Sequence, residues 1–170
     1  MIDIRSLASG SNGNCYRISD GHTPLLIECG IPWARIQEGL NHRTHEIEAV
    51  LVSHEHGDHS RAVQKMMERG FQVFASAGTA KALGLSTDYP QVTVMEPLKE
   101  YRINSWVVLG YQVQHDAAAP FGFLLASGGE RLLYITDTAY VVPRFSGITA
   151  VMVEANYDLE LLRQNTGTGE

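Results

Sequence analysis

The segment Ser53-His54-Glu55-His56-Gly57-Asp58-His59 packs three imidazoles and the Asp58 carboxylate into one short stretch. Such a run is a poor way to build a core, because each polar group would need its own buried partner. In a tight loop, however, these side chains can converge on one point. Imidazole nitrogens and carboxylate oxygens are suitable ligands for zinc and related divalent ions. A lone histidine reads as a solvated surface group; this arrangement reads as a metal site. Gly57 is expected to allow backbone geometry there that a side chain would obstruct. One or two divalent ions are expected, zinc first, and manganese or iron would accept the same ligands.

The elements that must position this cluster follow from patterning. Ala49–Ser53 is a short, continuously apolar run, which predicts a buried strand ending at the cluster. Ser60–Arg69 carries Ala62, Val63, Met66 and Met67 at helical spacing and stops at Gly70, predicting an amphipathic helix. Upstream, Ile2–Leu7, Cys15–Ser19 and Leu25–Cys29 read as strands, the last two joined through Asp20-Gly21 as a hairpin. Ser9-Gly10-Ser11-Asn12-Gly13-Asn14 is dense in turn residues and reads as a loop whose amides and hydroxyls could cradle an anion. A helix is expected from Pro32 through Trp33, Ile36 and Leu40 to Asn41. Phe71–Ala75 predicts a strand and Gly78–Leu83 a short helix. Val92–Met95, Trp106–Gln114, Phe121–Ala126, Leu132–Thr136 and Ala150–Val153 predict further strands. Hairpins mixed with strand–helix–strand crossings predict a layered α/β (α+β) sandwich rather than a doubly wound parallel sheet.

Composition bounds the function. The 170 residues, 44% hydrophobic and 19% charged, show no repeat or linker and are read as a single domain spanning 1–170. No apolar run approaches the ~18–20 residues that span a bilayer, so no membrane association is expected. The start, Met1-Ile2-Asp3-Ile4-Arg5, has no basic region followed by an apolar stretch, which predicts a cytoplasmic protein. Cys15 and Cys29 make no disulfide framework and are expected as buried thiols. A formal net charge of −6 argues against a general nucleic-acid binder. It leaves open an enzyme whose bound cations reverse the local sign.

His-x-His-x-Asp-His after an apolar strand resembles the signature of the metallo-β-lactamase fold hydrolases. The stretches 8–14, 115–123 and 153–158 are similar to the YycJ-type branch, which is phosphodiesterase- or exonuclease-like. The resemblance implies an αββα sandwich. It also implies that His54 and His56 bind a first metal with His115. Asp58 and His59 would bind a second, with Asp137 bridging the two. It further implies hydrolysis through a metal-bound hydroxide, with Asp58 and Asp137 as the catalytic carboxylates. The substrate would be a phosphodiester, such as a nucleic-acid end. A carboxylic ester, thioester or lactone hydrolase is the alternative, as is a non-catalytic metal-binding relative.

Two departures from that pattern bear on the site. Glu28 stands where the family usually has an aspartate that orients the histidine loop, and its extra methylene alters the reach. No histidine follows His115, although the family's last ligand to the second metal lies beyond the bridging aspartate. The fold is accordingly expected to be C-terminally shortened, with a weaker or empty second site and a homodimer covering the exposed edge.

Overall fold

In a computed structural model of the protein, residues 1–153 are described, and two sheets stack face to face. The first has the order β1 (Asp3–Ala8), β2 (Cys15–Ser19), β3 (Pro24–Ile27), β4 (Ala49–Leu51), β5 (Gln72–Ser76) and β6 (Val92–Met95). Its first three strands are antiparallel and its last three join in parallel. The second has the order β11 (Ala150–Val153), β10 (Glu130–Ile135), β9 (Phe121–Ser127), β8 (Trp106–Gln112) and β7 (Glu100–Ile103). Here β11 runs parallel to β10, and the other pairs are antiparallel.

Alternation along each strand builds two apolar layers. Leu25, Ile27, Ala49 and Leu51 meet Trp106, Val108, Phe123, Leu125 and Tyr134 between the sheets. Leu26, Val50, Val73 and Ala75 face the other way, against Ile36, Val63 and Met66 of the helices. These are α1 (Trp33–Gly39), α2 (Gly57–Ser60), α3 (Val63–Glu68) and α4 (Ala77–Ala82). Three of the four expected layers are therefore present; among the described residues no helix covers the outer face of the second sheet.

The structure differs from the sequence expectations at three places that bear on the site. The helix read over Ser60–Arg69 is broken after Ser60. Ala62 N–H donates to Cys29 O (2.9 Å), and the Asp58 carbonyl that would have received it accepts Asn14 N–H instead (2.7 Å). Strand β7 was hidden because Glu100, Tyr101 and Arg102 offer little apolar signal; it forms by pairing with β8 through the Ile103–Trp106 turn. Strand β8 stops at Gln112, so His115 lies in the connection beyond it rather than at the strand end. The stretch Asn156-Tyr157-Asp158 lies outside the described residues.

Candidate metal centre

The site forms where the carboxyl ends of β3, β4, β8 and β10 meet, in the loops that follow them. The loop after β4 carries His54, His56, Asp58 and His59; the loop after β8 carries His115; the loop after β10 carries Asp137. His54 and His59 are buried, and the other ligand candidates are half-buried or exposed. One ligand atom from each of His54, His56, His115 and Asp137 falls within a cluster 4.8 Å across. Asp137 Oδ2 lies 3.5 Å from His54 Nε2, 3.6 Å from His115 Nε2 and 3.2 Å from His59 Nε2. Asp58 Oδ2 lies 3.4 Å from His59 Nε2. All six residues expected at the centre are thus brought together, with Asp137 between the two groups.

The donor set fits a divalent cation. His54 Nε2 is buried and has no hydrogen-bond partner, although it points at the Asp137 carboxylate. Ligand bonds near 2.0–2.1 Å to a tetrahedral ion would set neighbouring donor atoms roughly 3.3 Å apart, close to the spacings seen. Burial, and then the neighbouring imidazoles of His59, His115 and His56, pushes His54 down to about 2, so it keeps its lone pair at neutral pH. Ser53 Oγ, 2.8 Å from His54 Nδ1, fixes the other ring nitrogen. Burial would also lower His59, but Glu28, Asp137 and Asp58 outweigh it and hold the imidazole up at about 9.

Glu28 supports the loop from beneath despite its added methylene. Fully buried and in a left-handed conformation (φ 61°), it accepts Ser53 N–H (3.1 Å) and the Tyr134 hydroxyl (3.1 Å). Its Oε1 stands 3.5 Å from His59 Nδ1. The sequence reading missed two other supports. Asn14 Oδ1 accepts Gly10 N–H and the Tyr16 hydroxyl, which turns its Nδ2 toward His59 Nε2 at 3.3 Å. Glu55 Oε1 accepts Ala118 N–H (2.7 Å), tying the histidine loop to the loop of His115. Only the density of polar residues in 9–14 hinted at Asn14. The glycine that matters is Gly30 rather than Gly57, since a β-carbon at Gly57 would meet nothing within 4 Å.

Comparison with known proteins agrees with this geometry. The family described as Beta-lactamase superfamily domain matches residues 23–164. Exodeoxyribonuclease WalJ of Streptococcus pneumoniae is 30% identical over 173 residues, and exodeoxyribonuclease YycJ of Bacillus anthracis is 29% identical over 171. These alignments cover 94% and 92% of this chain, which spans 64% of the length of either relative. Zinc-bound PqqB from Methylobacterium extorquens superposes with a TM-score of 0.76 at 19% identity, over 99% of this chain and 78% of that one. The metallo-β-lactamase fold protein YhfI from Bacillus subtilis superposes at 0.63 and 14% identity, over 82% of this chain and 65% of that one. With its two stacked sheets and its histidine–aspartate cluster at their shared end, the chain belongs to the beta-lactamase superfamily and has the metallo-β-lactamase fold.

Proposed function

We propose that the chain hydrolyses phosphodiester bonds at the end of a DNA strand, with one or two divalent ions, zinc first, held at the cluster. The observation that carries this reading is the buried, unpartnered His54 Nε2 facing the convergent donors of His56, His115 and Asp137. The relatives named exodeoxyribonucleases support the substrate. His54, His56 and His115 with Asp137 are the residues to hold the first ion, and Asp58, His59 and the shared Asp137 the second. A divalent ion supplies Lewis acidity there, lowering the pKa of water from about 15.7 to about 7 and drawing charge from a phosphoryl oxygen. Asp58 and Asp137, whose Oδ2 atoms both lie against His59 Nε2, orient the attacking water and take up its proton. Neutral His54 holds its lone pair ready, so it has no proton to lose on loading. Water adds to phosphorus, the bond to the departing oxygen breaks, and that oxygen receives the proton that the carboxylates took from water.

The decisive experiment pairs elemental analysis of the purified protein with turnover of bis-p-nitrophenyl phosphate and a labelled oligonucleotide, with zinc and with manganese. Stoichiometric metal and release of mononucleotides are expected. Bound metal without turnover of either substrate would refute the reading. Residues 1–170 are taken as one domain, and the two buried free thiols suit a reducing cytoplasm. A second copy of the chain is the proposed occupant of the β11 edge, where Val151 and Val153 are exposed; light scattering measures that pairing.

A further inference from the structure

Beside the ligand cluster, two hollows open in series along the loop of residues 9–14. The first, about 390 Å³, is bordered by Ser11, Asn12, Gly30, Gly57, Asp58 and Arg61. The second, about 400 Å³, takes in Ser9, Asn12, Ile31, Pro32 and Arg35. Asn12 lines both, so the two adjoin, and Asp58 joins the first to the metal centre. Among the described residues, each hollow holds one arginine. Arg61 is exposed, and its guanidinium has no hydrogen-bond or ion-pair partner among the described residues. Arg35 makes only a loose contact with Glu38 at 3.7 Å, both side chains being well exposed. Exposed pairs of that kind add little to stability, so neither arginine is needed for the fold. Ser9, Ser11 and Asn12 also line the hollows, and Ile31 and Pro32 give the second an apolar wall. Among the described residues, the only acid lining the first hollow is Asp58, which belongs to the ligand cluster and would there face a cation.

We infer that the two hollows form a track for single-stranded DNA leading away from the metal centre, with Arg61 and then Arg35 each meeting a backbone phosphate. The inference rests on the phosphodiesterase reading and extends it by naming the residues that hold the strand beyond the bond being cut. Spaced cations with small polar groups and an apolar wall suit a strand whose charge is carried by phosphates and whose bases need a dry surface. They also bear on how a chain of net charge −6 could hold a polyanionic substrate, because Arg61 and Arg35 place two cations along one short path.

The test is fluorescence anisotropy of a labelled single-stranded DNA of about 12 nucleotides on the zinc-loaded protein across a salt series. Arg61→Ala and Arg35→Ala should each weaken binding about fivefold and reduce the slope of log Kd against log salt by about 0.7. Arg61→Lys should keep most of that slope, as a phosphate contact would and a structural role would not. Melting curves verify that the variants remain folded. Wild-type salt slopes in both alanine variants, or no binding by the wild-type protein, would overturn the track. Turnover of bis-p-nitrophenyl phosphate by the wild-type protein tests the underlying reading separately. Arginine-dependent binding without turnover would sustain the track and remove the hydrolase.

Discussion

Gly30 passes so close to Asp58 that a β-carbon on it would stand 1.6 Å from the Asp58 carbonyl oxygen. The contact is part of a lattice of backbone bonds: Asn14 N–H to Asp58 O, Cys29 N–H to His59 O, and Gly30 N–H to Asn14 O. Three loops are therefore locked together at Asp58 and His59. Gly30→Ala should force them apart, cost about 1–3 kcal/mol in urea denaturation and lower zinc stoichiometry. Wild-type stability with a full complement of zinc would show that these loops can separate freely.

His56 is exposed, and its Nδ1 lies 3.2 Å from His115 Nε2, so its role is confined to the cluster. His56→Ala should abolish phosphodiester turnover by at least about 100-fold, a larger loss than outer-shell changes give. It should also strip the first metal while leaving the melting temperature of the chelated protein unchanged. Full activity in this variant would eliminate the proposed centre.

Glu28→Gln separates electrostatics from shape. With the carboxylate gone, His59 should fall from about 9 toward its ordinary value near 6.5. A histidine raised in the folded state adds stability that is fully present below pH 6.5 and is lost as pH rises through 9. The chelated wild-type protein should therefore weaken between those limits, and the variant should show a flatter profile. Urea midpoints at several pH values measure this, and zinc affinity should drop about 10–100-fold. Identical pH profiles would remove Glu28 as the source of the His59 shift.

Cys15 and Cys29 are fully buried and unpaired. Burial and the nearby Glu28 push Cys15 well above the ordinary thiol range, and burial, Cys15 and Glu28 do the same to Cys29. Neither should react with a chromogenic disulfide at pH 8 in the native protein, and both should react in urea. A rapid reaction of either thiol in the native state would contradict this packing.

The cluster at 54–59 was legible as a group because its histidines and Asp58 are adjacent in the chain and sit at the end of an apolar strand. His115 and Asp137 followed from the family resemblance, and their positions after β8 and β10 could not have come from spacing alone. The helix over 60–69 was half legible: its apolar period was correct, but the break came from Asn14 and Cys29, far away in the chain, competing for its backbone groups. Gly30 escaped notice for the same reason, since a close approach between loops leaves no local signature. Strand β7 was hidden because pairing with β8, rather than its own apolar content, makes it a strand.

The ligand candidates are divided between the two sheets. His54, His56, Asp58 and His59 hang from the first, whereas His115 and Asp137 hang from the second. Without an ion, the polar links across this seam include the Tyr134 hydroxyl on Glu28, the Phe121 amide on Ser53 O and the Glu55–Ala118 bond. A cation bound here would act as a rivet through both layers, so its affinity and the cohesion of the sandwich would be one shared quantity.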